Sequence, residues 1–151
     1  PIRLDVLFHL TKELIEEVPL FRHTEPALRN ALLMSLEPQV HVPGSDVVRE
    51  GERANGSYFV SRGGLVIIAG PDGVSHGMLE PGDYFGDLSL LLGERRTASV
   101  RALVYSDVFL LPAREFERLK EDYEEFKEVL KVISSEKTEK MAERVIEGVI
   151  L

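Results

Sequence analysis

The stretch from Pro38 to Pro112 limits the fold more than any other feature of this chain. Short β-rich runs (Val40–Val42, Tyr58–Val60, Leu65–Ala69, Thr97–Val104 and Asp107–Leu111) alternate there with glycine and proline punctuation. β-branched and aromatic residues suit the pleated, half-buried surface of a strand, and glycine and proline end such runs. Gly70-Pro71-Asp72-Gly73 reads as a hairpin turn between two of them. Several short strands at close spacing predict an antiparallel sandwich or jelly roll.

On either side the period changes. From Arg3 to about Leu36 the pattern is helical, with Leu4, Leu7, Phe8, Leu14, Ile15 and Val18 recurring at steps of three and four. Pro19 stops that segment. Thr24 reads as an N-cap, with Pro26 in the first turn, for a short helix ending near Leu36. After Ala113 the chain is helical again, first over Glu115–Lys120 and then from Asp122 to about Arg144. Phe126, Leu130, Ile133, Lys137 and Met141 fall roughly on one face of the longer piece. Between Ile133 and Met141 every residue is polar or charged, so that end has little apolar surface to bury and is expected to hold its place weakly.

Composition removes several function classes. A chain of 151 residues suffices for one domain with a sizeable core. Its net charge of -8 argues against a nucleic-acid surface, because phosphate backbones need Lys and Arg. An anionic ligand would need positive charge concentrated locally. Without cysteine there is no disulfide or thiolate chemistry. Apolar runs such as Leu65–Ala69 fall far short of the ~20 residues that span a bilayer. The first residue is Pro1 rather than Met, so the chain reads as a piece of a longer protein; no signal peptide is visible. His9, His23, His41 and His76 are isolated, with no metal-ligand spacing. No Ser-His-Asp pattern, P-loop or dinucleotide glycine pattern appears, so an enzyme is not expected.

The densest chemistry lies in Pro81–Leu91 and Gly93–Val100. Gly86 permits a tight turn and close approach of a ligand to the backbone. The residues after it suit one helical turn, whose free N–H groups from about Asp87 to Ser89 would face an anion. Asp87 supplies an acceptor for a sugar hydroxyl. Arg96 offers a planar fork of donors suited to a phosphate, with the Thr97 hydroxyl beside it. Taken singly, the Gly-Asp pair is a turn and the adjacent arginines are solvated edge charges. Together and in this order they describe a site for a phosphorylated nucleoside.

Phe85-Gly86-Asp87-Leu88-Ser89-Leu90-Leu91 followed by Arg95-Arg96-Thr97-Ala98-Ser99-Val100-Arg101-Ala102 resembles the phosphate-binding cassette of cyclic-nucleotide-binding domains. The Arg-Arg-Thr-Ala form is most similar to that of cyclic-nucleotide-gated and hyperpolarisation-activated channels. Glu50-Gly51-Glu52 and Gly56-Ser57-Tyr58-Phe59-Val60 match the strand-loop-strand upstream, and Leu4-Asp5-Val6 through Val18-Pro19-Leu20-Phe21 is similar to the end of the linker from a channel pore. The resemblance implies an α+β fold: an antiparallel, jelly-roll-like β-roll flanked by N-terminal helices and two C-terminal helices, the last acting as a lid. It divides the chain into a helical linker end at 1–20 and a binding domain at 21–151.

It also implies roles. Arg96, not Arg95, would pair with the cyclic phosphate, and Thr97 would contact it and assist a guanine in the syn conformation. Gly86, Leu88 and Ser89 would give backbone contacts, and Phe85 and Ala98 would lie at the ligand. Leu79 and Ile68 would form the apolar wall near the base. The family usually has Glu where Asp87 stands, one methylene longer, so a weaker or water-bridged contact to the ribose is expected here. Lys137 maps to a purine contact. Met141 takes the position where an acidic residue favours cGMP, and Met cannot accept guanine's paired donors.

The ligand expected is therefore cAMP, with cGMP binding as well or more weakly, and no other cofactor or metal. The function expected is that of a cytoplasmic regulatory domain of a ligand-gated channel. Its partners would be the pore domain of the same chain and neighbouring subunits of a homotetramer, with no nucleic acid. The alternative is the cAMP-sensing half of a transcription regulator or a kinase regulatory subunit.

Overall fold

The computed structural model describes residues 24–132. The expected β-roll is present, built from eight strands in two four-stranded antiparallel sheets. Helix α1 (Pro26–Ser35) leads into β1 (Glu37–His41), β2 (Asp46–Val48), β3 (Gly56–Arg62), β4 (Leu65–Ala69), β5 (Val74–Leu79) and β6 (Tyr84–Phe85). The short helix α2 (Asp87–Leu92) follows, then β7 (Ser99–Ala102), β8 (Ser106–Pro112) and α3 (Ala113–Asp122). Helical residues continue over 124–132, here α4. One sheet has the order β1-β8-β3-β6 and the other β2-β7-β4-β5.

Two apolar cores share the first sheet as a wall. Tyr58, Val60, Val108 and Leu110 point between the sheets, where they meet Leu65, Ile67, Leu79, Phe85, Ala98 and Val100. Their strand neighbours Phe59, Phe109 and Leu111 point the other way, onto Leu28 and Leu32 of α1, Phe116 and Leu119 of α3, and Phe126 and Leu130 of α4. Both faces being covered, β3 and β8 are buried almost end to end. β4 has one covered face and alternates buried with half-buried residues.

The structure shifts several expected boundaries. The N-cap of α1 is Glu25 rather than Thr24; its side chain makes no cap bond, and its N–H donates instead to the Glu125 carboxylate of α4 at 3.0 Å. The Thr97–Val104 run forms a strand only over Ser99–Ala102, because Leu103 and Val104 turn outward into an exposed bend. β2, β5 and β6 were not marked by any β-rich run. β5 is an edge strand with mostly exposed residues and an internal Gly77, so it lacks the apolar alternation that marks a strand. The two C-terminal helical pieces are separated at Tyr123, whose backbone is extended (φ -129°, ψ 110°). The linker at 1–20, the part of the last helix beyond 132, Lys137 and Met141 lie outside the described residues.

His41 ends β1, half-buried, with Nε2 2.8 Å from Gln39 Oε1 and Nδ1 3.3 Å from Ser45 Oγ. Burial holds its pKa below 6.5, the unperturbed value. The unfolded chain then binds more protons over the window just below that value, so stability rises with pH through it. The contribution is present above about pH 6.5 and is lost on acidification. Chemical denaturation at about pH 7.5 and about pH 5.5 should therefore show a smaller loss of stability for His41→Gln than for the unaltered chain. An equal loss in both would remove His41 from the pH response.

Candidate ligand-binding site

The site is built around a guanidinium that the fold draws inward. Arg96 sits in the connection between α2 and β7, where its N–H donates to Glu52 O and its carbonyl accepts from Gly51 N–H, both at 2.8 Å. These bonds tie the cassette to the β2–β3 loop. The side chain is 5% exposed. Its Nη1 donates to Gly86 O at 2.9 Å, and its Nη2 donates to Gly56 O at 2.8 Å and to Asn55 Oδ1 at 3.1 Å. Nε is buried with no hydrogen-bond partner among the described residues. A recess of about 110 Å³ borders Arg96, lined also by Val47, Val48, Glu52, Arg53 and Asn55.

Burial pushes the Arg96 guanidinium below its ordinary pKa, and Tyr58, Asp87 and Glu52 oppose that shift. Arginine starts so far above neutrality that it stays charged. A buried cation with an unsatisfied N–H has a standing requirement for an oxygen acceptor.

Gly86 makes this arrangement possible. Its φ of 91° is left-handed, a conformation that side chains disfavour. A Cβ on it would stand 2.6 Å from Arg96 Nη1. Only a glycine lets the backbone come this close to the guanidinium. After it, Asp87, Leu88 and Ser89 form the first turn of α2, which closes on Gly93, also left-handed at φ 66°.

The structure places the remaining predicted residues as follows. Asp87 and Ser89 are buried, at 3% and 1% exposure, and Asp87 lies near enough to Arg96 for its charge to be felt. Phe85 is buried and stacks on Tyr58, with ring centroids 5.1 Å apart and planes 8° from parallel. Thr97 is half-buried beside Arg96, and Ala98 lies in the core between the sheets with Leu79. Ile68 is half-buried on the outer face of β4, since its neighbours Ile67 and Ala69 take the inner positions. Leu79 and Ile68 thus stand on opposite faces of the β4–β5 hairpin.

Two residues at the start of β3, Asn55 just before it and Gly56 its first, join the site although the sequence does not mark them as part of it. Asn55 accepts from Arg96 and donates through Nδ2 to the Tyr58 hydroxyl at 2.9 Å, so it joins the guanidinium to the Phe85 stack. Gly56 supplies a carbonyl, and a Cβ there would run into the Leu111 carbonyl. Asn55-Gly56 just ahead of a β-rich run is a turn signal, but it does not say which distant side chain the turn will face. Among the described residues no group of three or more His, Asp or Glu side chains is arranged to hold a metal ion. No helix among them is long and apolar enough to cross a membrane.

The family model for the cyclic nucleotide-binding domain matches residues 38–123. The chain is 31% identical over 144 residues to the potassium/sodium hyperpolarization-activated cyclic nucleotide-gated channel 3 of Mus musculus, covering 95% of this chain and 18% of that protein. It is 30% identical over 135 residues to the cyclic nucleotide-gated channel alpha-2 of Rattus norvegicus, covering 85% of this chain and 20% of that one. Among solved structures, the regulatory domain of Toxoplasma gondii PKA in co-crystals with cAMP superposes with a TM-score of 0.73 at 26% identity, over 83% of this chain and 48% of that chain. The chain thus corresponds to about a fifth of the length of these channel relatives.

Proposed function

Because the chain belongs to the cyclic nucleotide-binding domain family, we propose that it is a regulatory module whose cassette takes cAMP, with cGMP bound as well or more weakly. The observation that carries this is the buried Arg96 guanidinium, with its unpartnered Nε, held against the Gly86 backbone. An anionic oxygen of the cyclic phosphate would satisfy that donor. Arg96 and Thr97 then hold the phosphate, with backbone contacts from Gly86, Leu88 and Ser89. Asp87 takes the ribose hydroxyl. Phe85, Ala98 and Leu79, which share one core, supply apolar surface, Ile68 on the opposite face of the β4–β5 hairpin does not join them, and Lys137 and Met141 meet the base.

The likeness to channels over most of the chain supports a role in gating. In this reading residues 1–20 are the end of a pore linker, residues 21–151 the binding domain, and the last helix a lid. The domain acts on the cytoplasmic side of a membrane protein, on the pore of its own chain and on neighbouring subunits. It is regulatory rather than catalytic. Ligand shifts the lid only through its differential affinity for the closed state. The likeness to the PKA regulatory domain favours a second reading, a sensor module of a kinase or transcription regulator.

Calorimetric titrations of the chain with cAMP and cGMP side by side test the proposal. We expect both to bind, cAMP at least as tightly, because Met141 offers guanine no acceptor. Clearly tighter cGMP would overturn the base assignment, and no binding of either would overturn the site.

A further inference from the structure

Arg95 has no part in the phosphate grip described above. Its backbone forms an isolated antiparallel bridge with Arg53 of the β2–β3 loop. Residues directly opposed in such a bridge send their side chains to one face, and like charges there repel. Both arginines are exposed, and among the described residues neither forms an ion pair. Arg49 and Arg101, by contrast, both pair with Asp46, and Arg118 pairs with Glu115. The adjacent Glu52 carboxylate accepts the Arg49 N–H at 2.8 Å. Arg95 is also fixed in place, with Nη1 donating to Gly51 O at 3.0 Å.

A cleft of about 360 Å³ lies between the two arginines, walled also by Ala54, Ser89, Leu90, Gly93 and Glu94. That volume is within the range of small-molecule sites. Two guanidinium forks on one face match the several oxygens of a phosphate. Glu94 can accept from a hydroxyl, and Leu90 and Ala54 offer apolar surface. We propose that this cleft is a second anion site, adjoining the cyclic-nucleotide site at Ser89 but distinct from the Arg96 grip, for a small phosphate-bearing molecule. A ligand there would join the β2–β3 loop to the α2–β7 connection, the same two segments that hold the Arg96 backbone.

Calorimetric titration of the chain with inorganic pyrophosphate, with and without saturating cAMP, tests this. Saturable binding is expected in both conditions. Arg53→Ala and Arg95→Ala should each weaken it by about fivefold, while Arg114→Ala, which removes an exposed charge elsewhere, should not. Arg95→Ala, at a residue with no part in the phosphate grip, should keep cAMP affinity within about twofold of the unaltered chain. The proposal is overturned by absence of saturable binding, by loss of pyrophosphate binding when cAMP is added, or by equal weakening in Arg114→Ala. Failure of the cassette itself would show instead in the cAMP titration alone. In that case the pyrophosphate titration is repeated on Arg96→Ala, where the expected outcome is unchanged binding and its loss overturns the proposal.

Discussion

Arg96→Ala should weaken cAMP binding by roughly 1.5–3 kcal/mol, the range for hydrogen bonds to a charged group. The substitution removes the donor proposed for the cyclic phosphate. It also strands the oxygens of Gly86, Gly56 and Asn55, which accept from the guanidinium at 2.9, 2.8 and 3.1 Å. A stability loss should therefore accompany the affinity loss. Calorimetry on the folded variant, with denaturation run alongside, separates the two. Affinity unchanged in a folded Arg96→Ala protein would remove this residue from the site. Arg96→Lys makes the test sharper. Lysine keeps the charge but offers one ammonium in place of the planar fork, so it should recover only part of the affinity.

The second large effect concerns the helices. Phe126 is 1% exposed and meets Phe116 edge-on, with ring centroids 5.4 Å apart and planes at 75°. Truncating a buried phenylalanine costs about 3–5 kcal/mol, through lost transfer free energy and the cavity left behind. Phe126→Ala should lower the urea midpoint by that equivalent while leaving the slope unchanged. This is a large share of the roughly 5–15 kcal/mol that holds a domain of this kind together. A loss under about 1 kcal/mol would mean that α4 is not docked as described. Phe126 also starts the segment proposed as the lid, so the variant tests whether that lid has a firm base.

Much of this was legible in the sequence, and the physical reasons are specific. Runs such as Leu65–Ala69 became strands because β-branched residues and flanking glycines agree on one local structure. Edge strands such as β5 were not legible, because an exposed strand has no apolar alternation to display. Likewise, the residues proposed as the cassette were picked out because they are contiguous in sequence. Asn55 and Gly56 were not, since they reach Arg96 from 40 or more positions away and only the pairing of loops brings them there. The inward turn of Arg96 follows from the same pairing.

The sheet that walls both cores has a bearing on how the chain is made. β1 begins at Glu37 and pairs with β8 at Leu110, and β3 completes its own ladder against the same strand. A nascent chain leaves the ribosome from its N-terminus, so β1 and β3 emerge long before their partner exists. Until β8 is out, their edges and the apolar side chains of Phe59 and Val60 have nothing to cover them. Strand pairing over such separations is slow and exposes aggregation-prone surface while it waits. The first half of this domain is thus the part that needs shelter during synthesis, and a stall before β8 would leave it without a fold.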